Sequence, residues 1–350
     1  MQQLTIFVVL FQFSCFLIDR RLVHHTSTVH LTDQQLKFSL WGDNLKEMGC
    51  EPPTYLSYFS MIASLCLSCI TIAGNLLVLL AVHQDPYKEL RKPFTVLIAN
   101  LALADLTAGA ITEPMAVYFT YQEVQGSVVN DLAVYITHLS YFMSCTTSVL
   151  TLSVLAIDRY LAISYSLWYK CHVTLSCTIK ICMALWIMSV LLSLTYIKTG
   201  YINFAFVFAN TAVLSTACVL VFAYYRIFKS LRIRTIQVGV LHEGRSQRCE
   251  RQKSLLLESK LTKLYLMMLG IFLLCFVPSC LFIYVLYCCS LCDCYVIHWL
   301  RDISFLLVLS NSSLNPILYS LQLKSFRRVY KSMCKCGKKN RVRAVMGQGT

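Results

Sequence analysis

Leu152-Ser153-Val154-Leu155-Ala156-Ile157-Asp158-Arg159-Tyr160-Leu161-Ala162-Ile163 decides how the rest of this chain is read. It is apolar up to Ile157 and then sets an acid, a base and a tyrosine side by side. The sequence before Asp158 stays apolar-dominated for longer than the ~20 residues that cross a bilayer. A charged pair at the end of such a helix is costly against lipid, so it should face protein or water at the membrane edge. An arginine and a tyrosine also suit a plain anchor at headgroup level. The surrounding sequence has to separate the two readings.

Composition puts the chain in a membrane. Of 350 residues, 57% are hydrophobic and 14% charged, where a soluble chain carries about 25% charged residues. The net charge of +14 does not point to nucleic acid, because the basic residues are segregated along the chain. The 18 cysteines are scattered through apolar segments apart from one cluster, so they form no global disulfide framework. No zinc-ligand spacing, Gly-rich phosphate loop, nucleophile elbow or His-Glu-x-x-His run is present, and no internal repeat. The chain therefore reads as neither an enzyme nor a cofactor carrier.

Three regions follow from hydropathy. Residues 1–55 form an amino-terminal segment, in which the short run within 1–18 resembles a signal-peptide core without a basic start. Residues 56–321 hold seven apolar segments near 56–82, 94–119, 132–163, 176–197, 203–230, 259–287 and 296–321. Backbone in lipid must satisfy itself, so these should be helices. Residues 322–350 form an amphipathic helix and a tail. Lys and Arg number three in 83–93, ten in 226–263 and nine after 323, against none in 120–131, one in 198–202 and one in 288–301. The expected topology is an extracellular amino terminus, a cytoplasmic carboxyl terminus and Asp158-Arg159-Tyr160 on the inner side, in a multi-pass protein of the cell membrane.

Each apolar segment holds polar or helix-bending residues that hydropathy alone would not select. These are Asn75 in Gly-Asn-Leu-Leu-Val, Asp105 in Asn-Leu-Ala-Leu-Ala-Asp-Leu, Ser148 with Arg159, Trp186, Tyr224, Pro278 in Cys-Phe-Val-Pro, and Asn311, Asn315, Pro316 and Tyr319 in Asn-Ser-Ser-Leu-Asn-Pro-Ile-Leu-Tyr. In order and spacing this set resembles the rhodopsin-like (class A) G-protein-coupled receptors over about 56–334. The resemblance implies an all-α bundle of seven transmembrane helices with a short amphipathic eighth. It also implies a receptor that turns binding of an extracellular ligand into activation of a heterotrimeric G protein, with arrestin as a further partner.

The resemblance assigns roles residue by residue. Asp105 with Ser148, Asn311 and Asn315 resembles a sodium pocket that modulates the receptor allosterically; hard oxygen ligands suit a small hard cation. A protonated Asp105 in a plain hydrogen-bond network also fits these residues. Arg159 and Glu258, expected at the start of the sixth helix, resemble a latch that opens when that helix swings out on its Pro278 kink. Tyr224 and Tyr319 would then close in on Arg159. Phe276 stands where this family usually has tryptophan. Leu167, in the second inner loop with Tyr169, resembles the plug that enters a G-protein α subunit, and a plain interfacial anchor fits equally. Cys334 and Cys336, after the amphipathic run 322–330, are palmitoylation candidates at the inner leaflet of the bilayer.

Three absences narrow the branch. Val134 replaces the cysteine usual 25 residues before the arginine, the second outer loop has no cysteine, and Thr216 stands where most have proline. These gaps resemble the melanocortin, cannabinoid, lysophospholipid and adenosine group. The run Cys288-Cys289-Ser290-Leu291-Cys292-Asp293-Cys294-Tyr295-Val296-Ile297-His298-Trp299 resembles the melanocortin third outer loop. By that resemblance Cys50 pairs with Cys294, and Cys292 with Cys288 or Cys289. Free thiols are the alternative. The acids of the melanocortin ligand site are missing: Val134 and His138 stand on the third helix, and Glu113 is shifted. Tyr141 replaces the aspartate of amine receptors, and Ile283 the asparagine of adenosine receptors. Glu113, His138, Tyr141, Cys145, Phe276 and Ile283 are the ligand-pocket candidates, for a peptide or a small molecule. A seven-helix transporter or channel is the competing class, and it usually shows repeats and paired broken helices.

Overall fold

A computed structural model describes residues 52–85, 90–127, 130–240, 245–288 and 293–332, with the backbone alone at 202, 231, 234–240, 245–262 and 288. Cys50, Cys289, Cys292, Cys334, Cys336 and the candidate signal within 1–18 lie outside the described residues, as do the side chains of Glu258 and Cys288.

The described chain is helical, without strands. Seven long helices are labelled α1 (Thr54–Gln84), α2 (Pro93–Val124), α3 (Asp131–Ser164), α4 (Leu175–Thr199), α5 (201–240), α6 (Arg245–Cys288) and α7 (Cys294–Gln322). Residues 324–332 form α8. Local chemistry sets the ends. Pro93 opens α2, where its missing N–H costs nothing. Asn130 and Thr174 cap α3 and α4, each side chain accepting a backbone N–H. Gly200, at φ 77°, turns the chain between α4 and α5 in a conformation that β-carbons disfavour.

The helices close into a ring: α1 packs on α2 and α7, α6 on α5 and α7, and α3 on α2, α4 and α5. α3 is the axis, with 94% of its most apolar window buried, against 28% for α1, α4 and α6. Those three turn exposed Leu, Ile and Val outward, as a lipid-facing surface requires. Among the described residues, six helices are apolar and long enough to cross a membrane. α7 falls outside that group because Ser, Asn and Pro dilute its apolar face.

Several boundaries differ from the sequence-based expectation. Glu258 lies well inside α6, which starts at Arg245. Arg301 is a residue of α7 rather than of a loop. Counting it as a loop cation therefore understated the charge asymmetry. Besides Asp105 and Glu113, Asp302 is buried within the bundle and Glu123 is half-buried.

Arg301 is the centre of a clasp between three helices. Its guanidinium gives two bonds to the Glu123 carboxylate of α2, at 2.8 and 3.2 Å, and one to the Asp302 carboxylate at 2.6 Å. From α1, the Ser60 hydroxyl donates to Asp302 at 2.7 Å and the Ser57 hydroxyl to Glu123 at 3.3 Å. Arg301 is 3% exposed. Removing it leaves two carboxylates without their cation, a change that costs about 3–5 kcal/mol in buried pairs. Arg301→Ala should lower the thermal midpoint of detergent-purified protein by several degrees, and Arg301→Lys should recover part of that loss. A midpoint equal to wild type in both variants would remove the clasp from the account.

Candidate functional site

The first polar centre is Asp105, which has no solvent exposure. Its carboxylate accepts hydrogen bonds from Ser148 of α3 at 3.1 Å, Ser312 of α7 at 2.8 Å and Asn315 of α7 at 2.8 Å. α2, α3 and α7 are thus tied together at one side chain. Asn75 of α1 joins from the side, donating to the Ser312 carbonyl at 3.1 Å. Two of the three expected companions, Ser148 and Asn315, are in place. Asn311 is buried but does not bond Asp105, and Ser312 does so instead. One residue rotates a helix by about 100°, and here that phase turns the Ser312 hydroxyl, not the Asn311 amide, onto Asp105. Among the described residues, no group of three or more His, Cys, Asp or Glu has a metal-binding arrangement.

The second centre is the Arg159 end of the bundle. Arg159 pairs with its neighbour Asp158 at 2.6 Å. The Tyr169 hydroxyl, on the short helix Ser166–His172, donates to the other oxygen of Asp158 at 2.7 Å. Burial, and then the Asp158 carboxylate, raise the Tyr169 hydroxyl above its ordinary pKa, so it remains a donor. The Arg159 guanidinium lies 4.4 Å from the centre of the Phe94 ring of α2. Phe94 in turn meets the buried Tyr265 ring of α6 at 6.0 Å. Phe94 and Tyr265 were absent from the sequence-derived set; an aromatic in an apolar run carries no signal of its own. Beside this stack, Tyr160 receives a hydrogen bond from Arg226 of α5 at 3.3 Å. Leu167 is 80% exposed. Tyr224 packs on Phe228, and the buried Tyr319 on Phe326 of α8, so neither tyrosine is bonded to Arg159.

Between these centres run the helix distortions. Pro278 lies inside α6 and Pro316 inside α7. Next to Pro278, the Ser279 hydroxyl donates to the Cys275 carbonyl at 2.8 Å and across to the Ser304 carbonyl of α7 at 3.2 Å. Phe276 is buried and stacks on Phe272 at 4.8 Å. Thr216 shares a hydrogen bond with Ser153 of α3 at 2.8 Å, holding α5 where a proline was expected. Trp186 of α4 donates to Asn100 of α2 at 3.0 Å, and Asn100 donates to Thr151 of α3.

The third centre is at the opposite end and is aromatic. His138 Nδ1 and the Tyr196 hydroxyl share a hydrogen bond of 2.6 Å, and the Tyr201 ring lies 4.7 Å from the His138 ring. Phe142 packs against Tyr196, Tyr201 and Phe204, and Tyr141 stacks on Phe305 of α7 at 5.1 Å. Cys145 is buried nearby on α3, and Ile283 is half-buried on α6. Glu113 is not part of this chamber: it turns toward α1, where Thr71 donates to it at 3.3 Å. Cys294 is disulfide-bonded, while among the described residues nine other cysteines, from Cys66 to Cys280, are free.

The family model for the 7 transmembrane receptor (rhodopsin family) matches residues 74–205 and 197–319. This chain belongs to the rhodopsin family of seven-transmembrane receptors. It is 26% identical over 312 residues to the histamine H2 receptor of Canis lupus familiaris, covering 81% of each chain. To the histamine H2 receptor of Homo sapiens it is 27% identical over 302 residues, 78% of each. The receptor is a multi-pass membrane protein and a signalling protein, not an enzyme. In this receptor the α4–α5 connection is held on α3 through His138, because Val134 cannot supply the family's usual cysteine there. His138→Ala leaves the Tyr196 hydroxyl without its partner, a loss of about 1–3 kcal/mol. Its thermal midpoint should fall by more than that of Cys145→Ser, which removes no such bond. Equal midpoints would contradict the anchoring role.

Proposed function

We propose that this receptor activates a heterotrimeric G protein at its Arg159 end when a ligand binds in the aromatic chamber at the opposite end. The Lys and Arg distribution supports an extracellular amino terminus and a cytoplasmic Arg159 end. The observation that carries the reading is the enclosure of Arg159. Asp158 and Tyr169 hold the guanidinium on one side, and Phe94 backed by Tyr265 covers it on the other. In this state the basic group that would meet a G protein is covered by Phe94 of α2, and Tyr265 of α6 packs behind that ring. Outward rotation of α6 about Pro278 would withdraw Tyr265, free Arg159 and open a groove lined by Tyr224, Tyr319 and the exposed Leu167. Glu258, on the same helix, would add an ionic latch, and Asn315 and Pro316 would relay the movement from the Asp105 centre. Arrestin would use the same groove. Sodium held by Asp105, Ser148, Ser312 and Asn315 would favour the closed form.

The ligand reading rests on chamber chemistry. The histamine H2 receptors are relatives by sequence, but Tyr141 stands where amine receptors carry an aspartate, so an ammonium group would find no carboxylate there. Val134, the cysteine-free α4–α5 connection, Thr216 and the bonded Cys294 support a place in the melanocortin-like branch. An aromatic-bearing peptide or small molecule suits His138, Tyr141, Phe142 and Tyr201. A transporter would need repeats or paired broken helices, and the sequence has neither.

An aromatic pair is worth about 0.5–1.5 kcal/mol beyond its area, so losing it should raise the open-to-closed ratio roughly two- to tenfold. Tyr265→Ala should therefore raise ligand-independent nucleotide exchange on a supplied G protein by that factor, at equal surface expression. Tyr265→Phe, which keeps the ring, should stay near wild type, and Arg159→Ala should abolish exchange in either background. Exchange unchanged by Tyr265→Ala and by Arg159→Ala would overturn the reading.

A further inference from the structure

We propose that Glu113 and Asn75 form a second small-cation site between α1 and α2, distinct from the Asp105 carboxylate but bordering its centre through Asn75. Glu113 and Asn75 are both fully buried. One oxygen of each, Glu113 Oε2 and Asn75 Oδ1, has no hydrogen-bond partner. Among the described residues, no basic side chain pairs with Glu113; its one hydrogen bond is the 3.3 Å bond from Thr71. Asn75 spends both amide hydrogens on the carbonyls of Thr71 and Ser312, at 3.0 and 3.1 Å. Both acceptors are thus enclosed without a donor, and Thr71 touches both residues, through its hydroxyl to Glu113 and its carbonyl to the Asn75 amide. A buried acceptor left this way is costly, and oxygen donors of this kind suit a hard monovalent cation.

The local backbone is what brings these groups together. Ala108–Thr112 is a π-helical segment between Asp105 and Glu113. In a regular α-helix, eight residues turn about 80° past two full turns. One extra residue taken up by a π-bulge makes eight wind like seven, about 20° short of two turns. The bulge therefore keeps Glu113 on the buried face of Asp105, two turns along, instead of swinging it toward lipid. Gly109 completes the arrangement, since a β-carbon there would come within 2.8 Å of Thr71. α1 and α2 can approach closely only because it is glycine. Side chains lean toward the start of their own helix, and α1 and α2 run antiparallel. Glu113 and Asn75 consequently lean toward each other across Thr71. On α1 the buried Ser57, Ser60, Ser64, Ser68, Thr71 and Asn75 recur every three or four residues. This polar stripe runs along α1 from the Arg301 clasp to Thr71 and Asn75.

The inference rests on reading Asp105 as the first sodium site, and the test separates the two. Thermal midpoints of purified full-length receptor would be followed from low to high sodium chloride, with choline chloride holding ionic strength constant. Wild type should gain stability with sodium. Asp105→Asn should keep part of that gain, Glu113→Gln should keep the other part, and the double variant should lose it all. If Asp105→Asn alone removes the whole gain while Glu113→Gln leaves it intact, Glu113 carries at most a proton, and the second site is overturned with the first standing. If Glu113→Gln removes the gain and Asp105→Asn does not, the Asp105 reading fails and the Glu113 site stands. A wild-type receptor that responds equally to sodium and choline overturns both. Thr71→Val, which removes one donor oxygen at similar volume, should mimic Glu113→Gln in weakened form, and a Thr71→Val response equal to wild type would count against the second site.

Discussion

Asp105 is a carboxylate enclosed in an apolar bundle and surrounded by donors, and the packing of three helices of this receptor is tied to it. Ser148, Ser312 and Asn315 reach it from two helices, which fixes the rotation of α2, α3 and α7 about their axes. Once α7 is fixed there, Arg301 and Asp302, further toward the start of α7, are set inside the bundle and require Glu123 of α2 and the serines of α1. The same rotation of α3 points Arg159 at Phe94. In a medium where apolar contact alone gives little preference for one helix over another, such polar ties select the arrangement.

The Arg159 end and the aromatic end are closed by different chemistry. At Arg159 the closure uses one charge shared among Asp158, Tyr169 and the Phe94 ring, each interaction modest, with Tyr265 of α6 packed behind that ring. At the other end, His138, Tyr196 and Tyr201 pack the α4–α5 connection on α3 where the usual covalent bridge has no cysteine on α3. A connection held by one hydrogen bond and ring contacts can be rearranged by an entering ligand more easily than a disulfide. The Ser279 hydroxyl, beside Pro278 on α6, donates to the Ser304 carbonyl of α7 and ties those two helices together there.

What the sequence made legible was the chemistry that violates hydropathy within a regular spacing. Asp105, Arg159, Pro278 and Asn315 stand out because each is anomalous in an apolar run, and the α3 stretch ending in Asp158-Arg159-Tyr160 could be placed at a helix end. The Arg301 clasp was not legible, since its members are far apart in sequence and Arg301 lies close enough to the α7 start to count as loop. Ser312 was passed over for Asn311 because an amide is the stronger polar signal, while helix phase decides which side chain faces Asp105. The π-segment of α2 has no composition of its own, so Glu113 was assigned to the ligand chamber instead of to α1. Tyr265 carried no signal, since only the Phe94 ring beneath Arg159 gives it a role.

Arg159 is covered by Phe94 with Tyr265 of α6 behind it, and the proposed activation requires α6 to move away. The most direct measure of that movement is the distance between spin labels at Lys263 on α6 and at Lys92, next to the start of α2, both exposed, in receptor reconstituted in lipid discs. The account predicts a single short distance in receptor alone. On adding nucleotide-free G protein, a population longer by at least about one helical turn, ~5 Å, should appear. A distance distribution that G protein leaves unchanged, in receptor that binds that G protein, would contradict it.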